Sequence, residues 1–367
     1  MKRLLVLLLA VVMLLCACGS EPAETTGTTG EIPTEGTTVQ TPTEGTENTE
    51  PQPEALYHHP LTGEPLYAPY TGRPTAVVVN NIKACMPQSG LLGADMIYEV
   101  ETEGGITRLL AIFTELEKVD KIGPVRSART YFINLAASYD LPLVHCGGSV
   151  NALKGKYDDT NDLPVKWEHI DQRFNGNYFY RDKDRKAAGY AYEHTLFTTG
   201  EKLLAAVAKK GYDKTYENGT DYGLQFADEI NLNGETAKTV KVDFRGSKST
   251  TLTYDAELGQ YKASQYGKNH IDENSGETVS YRNVLVLRAK QWIVKEGSYS
   301  RSYYNLIGEG EGYFACDGQI VPIKWSRKSV TDQFSYTLAD GTPLTLGVGR
   351  SYIGIIHTSS SAGVTYK

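Results

Sequence analysis

From Gly19 to Ala55 the chain has no lysine or arginine, and Ile32 and Val39 are its only large apolar residues. So little apolar surface cannot offset chain entropy, which excludes a packed domain there and predicts a disordered tether. Cysteine is equally sparse. Of the five, Cys16 and Cys18 lie near the N-terminus, leaving Cys85, Cys146 and Cys316. Three cysteines exclude a complete disulfide framework, and no CxxC or His/Cys spacing points to a metal. Buried free thiols are the expectation, with one bonded pair as the alternative. Basic residues number 37 against 44 acidic ones. No polybasic stretch occurs, which argues against a nucleic-acid partner.

The N-terminus is distinctive. Met1-Lys2-Arg3 precedes an apolar run from Leu4 to Leu15, too short to span a bilayer and flanked like a secretory leader. Leu15-Cys16-Ala17-Cys18 looks like a lipobox, so residues 1–17 read as a lipoprotein signal peptide and Cys18 as the lipidated residue. Residues 18–56 read as the tether, with an r.m.s. reach of roughly 30 Å. The tether holds eight glutamates and no cation, so the rest of the mature chain is close to neutral. An acidic tether is repelled by an anionic membrane surface.

The remaining length, about 310 residues, exceeds one ordinary core and predicts two domains. The expected fold class is α+β: a mixed α/β domain over 57–212, then a smaller, mostly β domain over 213–367. Thr75–Val79 reads as a buried strand ending at Asn80-Asn81. Met96–Val100 and Ile106–Phe113 read as a hairpin turning at Gly104-Gly105. Ser127 is the expected N-cap of a helix running to Tyr139, and a second helix is expected from Thr199-Gly200 to Lys210-Gly211. Beyond 213, strand-like runs cover Lys238–Phe244, Thr251–Tyr254, Tyr261–Ser264, Asn283–Ala289 and Tyr313–Trp325, with Gly308–Gly312 read as a turn or bulge.

Chemistry-bearing residues concentrate between Glu99 and Arg129. In a strand, Glu99, Glu101 and Glu103 share one face. Arg108, Arg126 and Arg129 are the nearby cations, two of them at the positive end of the helix expected after Ser127. Either they pair with the glutamates, or an anion sits on the free N–H groups and the arginines clamp it. His145 and Ser149 flank a Gly-rich turn without the G-x-S-x-G of a hydrolase elbow, so a buried His145 is favoured over acyl transfer. Arg181 and Arg185, in a charged run, would complete an anion pocket if that loop folds back. His270-Ile271-Asp272 offers two metal ligands without a third, so a turn is expected and no metal site is assigned.

Several of these segments resemble the YerB-like lipoproteins: Pro60-Leu61-Thr62-Gly63, Asn80-Asn81, Pro87-Gln88-Ser89-Gly90-Leu91, Glu103-Gly104-Gly105-Ile106-Thr107-Arg108 and, most specifically, Ile122-Gly123-Pro124-Val125-Arg126-Ser127-Ala128-Arg129. His145, Gly147-Gly148-Ser149, Arg185-Lys186-Ala187, His270 and Asp272 extend the likeness. That family often carries Pro-His after Arg-Lys-Ala, where this chain has Ala188-Gly189. The resemblance implies a surface lipoprotein with two tandem domains of unknown function, and brings no catalytic residues or cofactor.

Three functions follow as expectations. The first is an extracytoplasmic, membrane-anchored module binding a cell-wall glycan or anionic polymer through Arg108, Arg126, Ser127, Arg129, His145, Arg181 and Arg185. The second is a wall-polymer hydrolase using Glu101 and Glu103. The third is a non-catalytic partner of a membrane protein complex.

Overall fold

In the computed structural model, residues 56–215, 221–246, 248–359 and 363–367 are described. The leader, Cys18 and nearly all of the tether lie outside them. The described residues fall in one compact unit.

The apolar run at Thr75 forms β1 (Thr75–Asn80), buried along its whole length. β2 (Met96–Glu101) and β3 (Thr107–Phe113) pair antiparallel from Met96↔Ile112 to Glu101↔Thr107. The turn between them is a 3₁₀ turn, Glu103–Gly105, in which Gly104 has φ 78°. Glu99 and Glu101 therefore share a strand face, but Glu103 lies in the turn and leaves it. α1 (Thr130–Ser138) follows, then β4 (Leu143–His145), β5 (His169–Asp171) and α2 (Gly200–Lys210). Thr199 caps α2 by accepting from Lys202 N, and Gly211 ends it at φ 66°.

The helix expected from Ser127 begins later, with Arg129 as N-cap and no side-chain capping bond. The cause is tertiary. Ala128 N donates to Gly147 O at 2.9 Å and Ser149 N to Ala128 O at 3.2 Å, which keeps this stretch extended.

The second half supplies β6 (Thr239–Asp243), β7 (Ser249–Asp255), β8 (Gln260–Gln265), β9 (Asn283–Ala289), β10 (Gln291–Glu296), β11 (Tyr299–Tyr304), β12 (Gly308–Cys316), β13 (Gln319–Arg327), β14 (Ser351–His357) and β15 (Gly363–Tyr366). The expected turn at Gly308–Gly312 is instead the start of β12, paired with β13 from Gly308↔Arg327 onward. Its glycines make room: a Cβ on Gly310 would stand 2.5 Å from Trp325 Nε1, and one on Gly312 2.5 Å from Val286 O. The span Tyr313–Trp325 is thus two strands, reversing at Asp317-Gly318.

Strands dominate this fold and helices are few. β13-β12-β9-β14-β2-β3-β1-β4-β5 form the body of an eleven-stranded mixed sheet. Strands from after residue 212 form one half of it and strands from before residue 212 the other. β14 is the join, parallel to β9 on one side and to β2 on the other. β6, β7, β8 and β15 belong to a separate six-stranded sheet. Strand alternation gives the large sheet two buried faces. Val77, Val79, Leu109 and Ala111 share an apolar cluster with α2 and with Val240, Val242 and Leu252 of the smaller sheet. Ala76, Val78, Leu110 and Ile112 pack with Phe132, Leu135 and Ala136 of α1.

A buried polar ring locks the smaller sheet onto the larger one. Glu99 on β2 meets Lys248 Nζ at 2.9 Å, and both are essentially inaccessible. Its Oε1 also accepts from Asn81 Nδ2 (2.8 Å) and Thr107 Oγ1 (2.6 Å), and its Oε2 from Thr250 Oγ1 (2.7 Å) and Tyr352 OH (2.9 Å). Asn81 Oδ1 accepts from Gln88 Nε2 (2.8 Å), and Gln88 Oε1 contacts His270 Nε2 (2.9 Å). His270 Nδ1 contacts Gln265 Nε2 (2.9 Å), whose Oε1 accepts from Lys248 (2.5 Å) and closes the ring. Burial alone would raise the Glu99 pKa. Lys248 and the hydroxyl donors outweigh it, so the carboxyl lies below its ordinary value, while burial lowers Lys248 against the pull of the Glu99 charge.

Removing one charge strands the other in the core. Glu99→Gln is expected to lower stability by about 3–5 kcal/mol in urea unfolding, and Glu99→Gln/Lys248→Met to recover part of that loss. A loss no larger than in an exposed pair would place the join elsewhere. His270 adds a pH dependence: burial pulls it from 6.5 to about 4, so it is neutral in the fold. Between those values the unfolded chain takes up a proton that the folded ring refuses. Stability present above pH 6.5 is therefore lost as pH falls toward 4, by up to about 3 kcal/mol. His270→Gln should flatten that slope in urea unfolding at stepped pH.

Candidate functional site

Residues 122–128 thread between the C-terminal ends of two parallel strands. β1 and β4 pair directly at Ala76↔Leu143 and Val77↔Val144. Past that point the segment intervenes: Asn80 N donates to Pro124 O and Arg126 N to Val78 O, both at 2.8 Å, while Cys146 N donates to Arg126 O at 3.0 Å. The antiparallel bridge Val79↔Val125 puts Val125 on the Val79 face. Arg126 then emerges on the opposite face, shared with Asn80 and with Arg108, which sits opposite Asn80 in the β1–β3 register.

Alternation thus sorts the charges. Glu99 and Glu101 lie on the face covered by the smaller sheet, where Lys248 meets the first and Arg245 Nη2 the second at 3.0 Å. The arginines lie on the α1 face. Of the expected Glu–Arg pairings, one forms: Arg129 holds Glu103 through Nε at 2.9 Å and Nη2 at 2.7 Å, with Arg301 at 3.4 Å. Burial works against the ionised Glu103, but the Arg129 hydrogen bonds and charge prevail and hold its pKa low.

Arg108 and Arg126 are left over. Arg108 is 5 % exposed. Its Nη1 donates to Ser127 O at 2.6 Å and its buried Nε has no partner. Arg126 is half-buried, and its Nε is also buried without a partner. Among the described residues, no carboxylate pairs with either. Burial first, and then the charges of Arg129 and Arg126, push Arg108 down to about 9, still protonated at neutral pH. α1 begins beside them with no acidic residue in its first turn. Helix dipole and guanidinium groups here have the same sign, which suits an anion.

The other expected site residues serve the scaffold. His145 is fully buried, contacting Gly147 O through Nδ1 (2.8 Å) and His169 through Nε2 (3.0 Å), and is stacked with Trp167. Burial lowers its pKa, so it is neutral. Ser149 caps a short helix, Val150–Leu153, by accepting from Ala152 N, so no Ser149–His145 pair forms. Arg181 donates to Tyr192 O and lies 3.7 Å over the Tyr192 ring. Arg185 is a strut: it donates to Cys85 O (2.8 Å) and Pro87 O and pairs with Glu273 at 3.1 Å. Asp272 accepts from Gly90 N and Leu92 N, and so ties two loops together. Cys85, Cys146 and Cys316 are free thiols.

Sequence reasoning missed Lys248 and Arg245, the cations that answer Glu99 and Glu101, and Arg301, which joins Arg129 at Glu103. Nothing local marks them. It also missed His194, which contacts Asn80 Nδ2 through Nδ1 at 3.0 Å at the edge of the arginine cluster. Residues 61–213 match the N-terminal domain of DUF3048, a protein of unknown function, and residues 240–353 match its C-terminal domain.

The chain belongs to the DUF3048 family.

It is 30% identical over 323 residues to "Putative lipoprotein YerB" of Bacillus subtilis (strain 168), covering 83% of this chain and 91% of that one. The crystal structure of YerB from Bacillus subtilis superposes with a TM-score of 0.71 at 26% identity, covering 84% of this chain and 99% of that one. The likeness expected from the sequence segments is therefore met. The polar ring joins the two DUF3048 domains, since Asn81, Gln88 and Glu99 come from the first match and Lys248, Gln265 and His270 from the second.

An uncompensated buried cation lowers stability when no ligand is present. Arg108→Met, of similar length, is expected to leave unfolding stability unchanged or to raise it by about 1–2 kcal/mol. A loss above about 1 kcal/mol would make Arg108 a strut for Ser127.

Proposed function

We propose that this DUF3048 protein is an extracytoplasmic lipoprotein, lipidated at Cys18, whose body binds an anionic ligand of the cell envelope at Arg108 and Arg126. The leader and the Leu15–Cys18 motif support the anchor, as does the name of the Bacillus relative. No helix among the described residues is long and apolar enough to cross a membrane.

The observation that carries the binding reading is the cation surplus beside α1. Glu99, Glu101 and Glu103 are each neutralised, while among the described residues Arg108 and Arg126 have no carboxylate partner and each keeps a buried Nε without one. Guanidinium groups bind phosphate or carboxylate bidentately, and charge-assisted bonds contribute about 1.5–3 kcal/mol each. A wall polymer bearing phosphate or uronate groups is the ligand class that this chemistry and location favour.

The hydrolase reading has less support. A catalytic acid needs a carboxyl protonated near neutral pH and free to reach the bond it cleaves. Glu103 is instead clamped in its ionised form by Arg129, and Glu101 is engaged by Arg245.

Purified Gram-positive cell wall, incubated with the body from residue 57 onward, provides the test. Retention of the protein should fall roughly 10–100-fold in Arg108→Met/Arg126→Ala, with no new soluble fragments released by either form. Equal retention would remove the arginines from the site. Fragments released by the unaltered body alone would restore the hydrolase.

A further inference from the structure

A groove of about 430 Å³ separates two loops, one from each DUF3048 domain. One loop is the 3₁₀ turn Lys83–Cys85 with Met86-Pro87, and the other is the turn after β8 with Ile271. Its volume lies in the range of small-molecule sites. Met86, Pro87, Tyr266 and Ile271 supply apolar surface, and buried Gln265 and His270 of the polar ring lie at its base.

Two features single this groove out. The first is charge. No aspartate or glutamate lines it, and two exposed lysines, Lys83 and Lys268, do. Among the described residues, neither lysine has a carboxylate within 4 Å. The second is Tyr266. The pair Gln265↔Lys268 leaves a two-residue turn, Tyr266-Gly267, with φ of 54° and 75°. Such turns favour Asn, Asp or Gly at the first position, and a left-handed tyrosine costs roughly 1–2 kcal/mol. Tyr266 donates to Asn81 O at 2.7 Å, which fixes its ring as one wall of the groove.

We propose that this groove binds a single-chain anionic amphiphile: an apolar tail against Met86, Pro87, Tyr266 and Ile271, and one carboxylate or phosphate head between Lys83 and Lys268. The volume suits one short chain. The absence of acidic lining selects against a cationic head. This inference does not depend on the arginine site, which draws on Arg108 and Arg126.

Calorimetric titration of the body from residue 57 with decanoate and with decyltrimethylammonium tests it. Decanoate should bind saturably at one site and the cation should not. Lys83→Glu/Lys268→Glu changes two exposed residues and should weaken decanoate binding at least tenfold. Ile271→Asp should do the same by removing the apolar wall, with its circular dichroism and urea midpoint confirming that it folds. Arg126→Ala should leave decanoate binding intact. Three results would overturn the proposal: no saturable decanoate binding, equal affinity for the cation, or a loss that follows Arg126→Ala rather than the lysine variant.

Discussion

The contact between Glu99 and Lys248 is the constraint on which the rest of the structure depends. Taking both ions out of water costs several kcal/mol each, which their attraction offsets only if the remaining hydrogen-bonding capacity is filled. Here it is filled. Four neutral donors, from Asn81, Thr107, Thr250 and Tyr352, complete the carboxylate, and Gln265 and Thr250 accept from the ammonium. These partners come from β1's end, β3, β7, β8 and β14, so the pair can form only when both sheets are in place. A hydrophobic contact would tolerate a shift of register. This network does not, because a one-residue slip of β2 would turn Glu99 to the α1 face.

That register has a consequence on the other side of the sheet. With Glu99 and Glu101 committed to the smaller sheet, the α1 face carries Arg108, Arg126 and Arg129, and among the described residues the ion pair formed by these three is that of Arg129 with Glu103. The surplus of arginine is built in by strand alternation. No rotamer change could bring Arg108 to Glu99 through a sheet, and the segment that carries Arg126 is pinned by backbone bonds to Val78 on one side and Cys146 on the other.

Local features of the fold were legible in the sequence, and its long-range joins were not. The apolar run of β1, the glycines between β2 and β3, and the Thr199 and Gly211 caps of α2 each rest on neighbours a few residues apart. The Arg-rich segment was conspicuous for the same reason. Arg129, the partner of Glu103, lay within it, but the partners of Glu99 and Glu101 were invisible, since Arg245 is 144 residues from Glu101 and no spacing rule links them. Ser127 misled because a good N-cap was overruled by tertiary pairing at Ala128. The glycines at 308–312 misled because a turn and a close approach of Trp325 demand the same residue. His145 was correctly weighed as a buried, hydrogen-bonded ring.

Arginine is the side chain that can hold such a surplus in place. Burial without a carboxylate partner favours the neutral form of a lysine far more than that of an arginine. The guanidinium at Arg108 keeps its charge at neutral pH even after burial and its neighbours pull it down to about 9. Its planar fork also lets one nitrogen bond Ser127 O while another remains free, so the group is oriented before any ligand arrives. A loosely held surface arginine would lose rotamer freedom on binding. This one loses it on folding, and the cost is carried by the packed sheet and the Glu99 ring. Preorganisation of that kind lowers the entropy lost when an anion binds. The stability given up at Arg108 and the affinity gained there are two aspects of the same unpaired charge.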